Sequence, residues 1–189
     1  MTLAPIARTW LTITAGSVPL LALLLVPELM RSRAGSEQLL MIGMLLLLAL
    51  LVAAFVAAPV FAALADPAPG RWTPGTAFRS TRRVWRRRPA GAWLALGVSL
   101  AGYAAAQVVG YAVGAAVPAV SDNPAFAEGG TEPRWLIDYP AYALQAVVIY
   151  LVTTLALTWY ARRIRALALE LGPAPSAATA TATGRTVGA

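Results

Sequence analysis

Four long stretches of this chain carry no charged side chain, at about residues 9–27, 39–65, 92–120 and 139–160. A helix needs about 20 apolar residues to cross roughly 30 Å of hydrocarbon, so each stretch predicts a transmembrane span. The fold expected is therefore all-α, a polytopic four-transmembrane-helix bundle. The first stretch is the weakest, because Thr12, Thr14 and Ser17 lower its hydropathy and Pro19 removes a rung of its hydrogen-bond ladder. A cleaved signal peptide is the competing reading, and it is set aside because VPELMRSR follows the apolar run where a small-residue cleavage site belongs.

Composition agrees with a bilayer. The chain is 59% hydrophobic and 12% charged, and its mean hydropathy of +0.67 is out of reach for a domain with a large polar surface. It contains neither Cys nor His, which removes disulfides, thiol nucleophiles, Cys-based zinc sites and the commonest general base together. Every basic residue is Arg, a skew that, with the Ala, Gly and Pro richness, fits the codon bias of a GC-rich bacterium.

The placement of charge sets the expected orientation. Residues 66–91 hold Arg71, Arg79, Arg82, Arg83, Arg86, Arg87 and Arg88 against Asp66, while Arg162, Arg163, Arg165 and Arg185 face only Glu170, and Arg8 precedes the first span. On the other side, Arg31 and Arg33 are balanced by Glu28 and Glu37, and Asp122, Glu128, Glu132 and Asp138 outnumber Arg134. Because basic residues stay on the cytoplasmic side, both termini are expected in the cytoplasm of a bacterium, with the chain multi-pass in its cytoplasmic membrane. Trp10, Trp93, Tyr139, Trp159 and Tyr160 are the expected interfacial anchors.

One membrane domain, residues 1–171, and one loose cytoplasmic tail, residues 172–189, are expected. The fourth span should run on as a helix through ARRIRALALEL until Gly172 and Pro173 stop it. Beyond that point the tail has only Val187 as a bulky apolar residue, too little to offset its ordering entropy.

The segment PGTAFRSTRRVWRRRP separates on a helical wheel. Ala77, Phe78, Thr81, Val84 and Trp85 share one side, and Arg79, Arg82, Arg83, Arg86 and Arg87 cover the other. Such a helix is expected to lie in the headgroup layer between spans two and three, its guanidinium groups among anionic lipid phosphates. A loop whose arginines only enforce topology, or a docking site for another macromolecule, are the alternatives. Nucleic acid is not expected as a partner, because the same charges already serve orientation.

On the third span Gly102, Ala106, Gly110 and Gly114 recur every four residues, a stripe that lets helix backbones come close. Ser99, Tyr103, Gln107 and Tyr111 form a second, polar stripe about 100° away, and Gln145, Tyr150, Thr153, Thr154 and Thr158 add polar groups on the fourth span. Tyr103, Gln107, Tyr111, Gln145 and Thr154 are thus candidates for a polar interior, either a path or simply interhelical hydrogen bonds. Ala49, Ala53 and Ala57 offer a further small-residue face on the second span.

No span carries an ionisable side chain, so no acid–base, metal or cofactor chemistry is expected within the bilayer. Glu28 lies at the outer end of the first span near Arg31, where an interfacial pair is the simpler reading than a cation site. The external acids lack the spacing of a calcium loop.

The run AFRSTRRVWRRRPAGAWLALGVSL, basic and then rich in small residues, resembles a pattern in uncharacterised bacterial multi-pass membrane proteins and, among named families, the membrane-domain family associated with glycerophosphodiester phosphodiesterases. The resemblance covers about forty residues. It implies a multi-pass membrane fold and no catalytic residue, and family members tend to have more spans than this chain. The function expected is that of a non-catalytic assembly, accessory or regulatory subunit of a membrane complex, working with other subunits or as a homo-oligomer. A small transporter or channel component acting as an oligomer is the alternative.

Overall fold

The computed structural model of the protein describes residues 3–30, 36–69, 71–116 and 139–172. Among them every regular element is an α-helix: α1 (Leu3–Gly16), α2 (Val18–Leu24), α3 (Pro27–Met30), α4 (Glu37–Ala65), α5 (Pro74–Arg87), α6 (Pro89–Ala116) and α7 (Tyr139–Glu170). Three of these, α4, α6 and α7, are long and apolar enough to cross a membrane. The expected span at residues 9–27 falls on two helices, α1 and α2, bent by 56° at Ser17. The bend has a local cause. Pro19 has no N–H to give the Ala15 carbonyl, and the Leu20 N–H turns to Ser17 O at 2.9 Å.

The other boundaries follow from capping. Ser36 Oγ accepts from Leu39 N–H at 3.2 Å and starts α4 two residues ahead of the expected Leu39. α6 begins at Pro89, where the missing N–H of an N-terminal proline costs nothing, and its expected end at residues 117–120 lies outside the described residues. α7 continues through ARRIRALALEL to Glu170 and ends at Gly172, whose φ of +69° is open to glycine and strained for other residues. The external segment and the tail beyond Gly172 lie outside the described residues.

α6 and α7 run antiparallel in the most extensive contact of the molecule, with α4 and α1 packed on the remaining sides of α7. One apolar cluster gathers at the end of the bundle that carries α5, from Ala58, Ala62 and Ala63 of α4, Ala77 and Val84 of α5, Ala92 and Ala95 of α6, and Leu157, Ile164 and Leu167 of α7. Trp72, fully buried, seals it from the short hairpin in which Ala68 and Trp72 exchange backbone hydrogen bonds of 2.7 and 2.8 Å. A smaller cluster of Leu20, Leu51 and Tyr150 lies nearer the other end. Small residues dominate both α4 and α6 at the packed faces, as expected where association in lipid relies on close contact rather than on expulsion of water.

Candidate functional site

The seam between α6 and α7 is built on the small-residue stripe. A Cβ at Gly102 would stand 3.0 Å from Ala156 Cβ, Ala106 is fully buried, and a Cβ at Gly110 would run into the Ile149 side chain. The stripe extends below Gly102 through Ser99, Ala95 and Ala92 to Gly91, where a Cβ would meet Leu167 at 3.1 Å. Ser99 Oγ lies 3.0 Å from its own Ala95 O and 3.1 Å from Ala156 O across the seam, so its one proton is shared between two carbonyls. The partner of the stripe is thus a helix of the same chain. Gly114 sits farther along α6, and its surroundings lie outside the described residues.

Of the polar stripe on α6, Ser99 is buried in the seam with α7 and bonds across it, whereas the described residues farther along the stripe lie off that contact. α7 occupies the small-residue side of α6, and beyond Ser99 a stripe about 100° round the helix is carried off that contact. Gln107 is exposed, Tyr111 is 76% exposed, and Tyr103 is half-buried beside the Leu20, Leu51 and Tyr150 cluster. Gln145, half-buried, packs its Cγ 3.7 Å from the place a Cβ would take on Gly110. Thr154 faces α1 instead: Trp10 Nε1 donates to its hydroxyl at 3.0 Å, Thr14 Oγ1 lies 3.2 Å away, and Thr154 itself donates to Leu151 O at 2.9 Å. Tyr150 donates to Thr14 O, and Tyr139 and Tyr142 donate to Leu25 O and Leu24 O. These tyrosines tie α7 to backbone carbonyls of the bent first segment, and Thr14 O also receives the Ser17 N–H at 3.3 Å.

Two expected interfacial anchors make contacts within the bundle. Trp10 is tied to Thr154, and Tyr160 is buried with its ring 5.4 Å from Phe55, edge-on. Trp93, Tyr139 and Trp159 do present exposed rings. Glu28 is exposed on α3, and its expected neighbour Arg31 lies outside the described residues, as do the external acids. Beside the bend, Gly16, Ser17, Pro19, Leu20, Ala53, Ala57 and Phe61 line a hollow of about 150 Å³, and the buried Ser17 hydroxyl there has no hydrogen-bond partner.

α5 carries the strongest charge. Pro74 opens the helix, the Thr73 N–H is received by Thr76 Oγ1 at 3.0 Å, and the two hydroxyls lie 3.0 Å apart. Ala77 and Val84 are fully buried against the bundle, and Trp85 meets Trp93 edge-on at 5.2 Å. Phe78 departs from its expected side and stands 59% exposed. On the outward side Arg79, Arg82, Arg83, Arg86 and Arg87 together line one open hollow of about 460 Å³. Arg83 does more than face outward. Its Nη1 donates to Gly172 O at 2.9 Å and its Nη2 lies 3.4 Å from Leu171 O, so the guanidinium caps the C-terminus of α7. Nothing in the sequence marks this link, since the partners are 88 and 89 residues away. The same holds for Arg165, which pairs with Asp66 at 3.2 Å and ties α7 to the end of α4. No family model, no curated protein and no solved structure matches the chain.

Proposed function

We propose that the protein is a four-span, non-catalytic membrane protein with both termini in the cytoplasm, acting as an assembly, accessory or regulatory subunit of a larger membrane complex. In this reading α1 and α2 together make the first, broken span, and α5 lies at the cytoplasmic surface with its arginines among anionic headgroups. The observation that carries the reading is the use of the polar groups between helices. Trp10, Thr14, Ser99, Tyr142, Tyr150 and Thr154 all bond to another helix, which holds a bundle together and uses these polar groups within the chain. Each such bond contributes about 1 kcal/mol in lipid. The role of subunit is supported by α4, whose Met41, Leu45, Leu48, Val52 and Val56 all face away from the chain's own helices.

Photocrosslinking from α4 tests this. A benzophenone side chain placed at Val52 or at Val56 in cell membranes should yield discrete protein adducts, of another subunit or of a second copy. Adducts with lipid alone at both positions would overturn the subunit reading.

A further inference from the structure

The five arginines of α5 concentrate positive charge that the described residues around them do not offset. Arg79, Arg82, Arg83, Arg86 and Arg87 stand three and four residues apart, a spacing at which like charges oppose helix formation. Among the described residues no carboxylate lines their hollow. Docking of Ala77 and Val84 on the bundle holds the helix in place, and the bond from Arg83 to the end of α7 fixes one guanidinium at the centre of the row. An anion would offset this charge, and the helix contacts fix the level of the hollow in the molecule. Gly91 faces Leu167 and Gly102 faces Ala156, so the start of α6 lies level with the last turns of α7. α5 joins α6 there, next to the exposed rings of Trp93 and Phe78. A Trp ring of this kind marks the boundary where headgroups begin.

From Arg79 to Arg87 the row is about 12 Å long at 1.5 Å per residue, two turns of helix. The hollow of about 460 Å³ is of small-ligand size. A phosphodiester brings one negative charge and meets one or two guanidinium forks, which would leave the rest of the row uncompensated. Two phosphates joined by a short bridge match the row at both turns. We propose that this hollow binds a lipid headgroup that carries two phosphates, Arg79 and Arg82 holding one, Arg86 and Arg87 the other, with Arg83 fixed between them. The proposal rests on the reading of α5 as a membrane-surface helix.

The test is lipid retention by native mass spectrometry, after the full chain is exchanged into detergent micelles containing phosphatidylglycerol and diphosphatidylglycerol at equal total charge. Linking two phosphates makes the second contact intramolecular, so the wild type should retain one diphosphatidylglycerol per chain with a preference of about tenfold. The variant R79Q/R82Q/R86Q/R87Q keeps Arg83, and with it the cap on α7; it should lose that preference while its helical circular dichroism is unchanged. Equal retention of both lipids at equal charge by the wild type would overturn the two-phosphate site and leave the surface reading standing. Retention of neither would overturn the surface reading itself. A thermal shift of the lipid-free wild type by inorganic pyrophosphate, absent from the variant and larger than that given by diphosphatidylglycerol, would assign the site to a soluble anion and overturn the lipid as its source.

Discussion

At the scale of single residues, the consequence of a missing side chain depends on what stands opposite. Gly110 is buried where a Cβ would meet Ile149, whereas its neighbour Val109 is 42% exposed on the outer side of α6. Gly110→Leu should therefore force α6 and α7 apart at a cost of about 1–3 kcal/mol, the range of an overpacked core, while Val109→Leu costs much less. Thermal unfolding in a mild detergent reads the difference, and equal behaviour of the two variants would mean that the stripe does not set the helix separation. Gly43 presents the same problem in harder form, since its Cβ would run into the backbone carbonyl of Leu29, which has no rotamer to yield. Gly97, by contrast, faces open space. Gly43→Ala should lower the unfolding temperature by loosening α3 from α4, and Gly97→Ala should raise it slightly, since alanine is more stable than glycine within a helix by roughly 0.5–1 kcal/mol.

At the scale of elements, α5 joins three helices and is itself held by two kinds of contact, the buried Ala77 and Val84 and the bond from Arg83 to α7. Arg83→Gln removes the charge and the fork from the carbonyls of Leu171 and Gly172, so the last turn of α7 should fray. Hydrogen exchange at the backbone amides of residues 168–172 should speed up several-fold, corresponding to about 1 kcal/mol for a charge-assisted bond at a half-exposed site. Arg82→Gln, one position away and fully outward, should leave those amides unchanged; equal acceleration in both variants would mean that the cap is not a bond of Arg83 but a general effect of charge. The elements themselves were mostly legible in the sequence. Uncharged runs predict α4, α6 and α7, the Gly172 stop holds, and the four-residue spacing of Gly102, Ala106 and Gly110 points to the face that α7 covers. What the sequence could not convey is which helix takes which face. Once α7 claims the small stripe, Gln107 and Tyr111 must turn outward, and Thr154 becomes available to Trp10. The bend at Ser17 had its signal in Pro19, but Thr14 read only as a loss of hydropathy is in fact a partner of α7.

At the scale of the whole molecule, charge and packing divide the bundle into two unlike ends. Arg8, Arg71, Arg79, Arg82, Arg83, Arg86, Arg87, Arg88, Arg162, Arg163 and Arg165 belong to the end that carries α5, against Asp66 and Glu170, and the described residues of the other end include Glu28 and Glu37. An asymmetry of this size resists inversion, because each guanidinium carried across the hydrocarbon costs several kcal/mol on any scale. The α5 end is therefore expected on the cytoplasmic side together with both termini. The chain has no cysteine, so single-cysteine labelling gives an unambiguous readout. A cysteine at Ser80 should react with a membrane-impermeant maleimide only after the cells are opened, and one at Ser121 should react in intact cells. Ser80 lies on α5 itself, half-buried, so its reactivity in opened cells also reports whether the helix stays docked. Labelling of Ser80→Cys from outside intact cells would invert the molecule. In that case the arginines would face the exterior, and neither the charge rule nor the proposed contact with the cytoplasmic leaflet would hold for this chain.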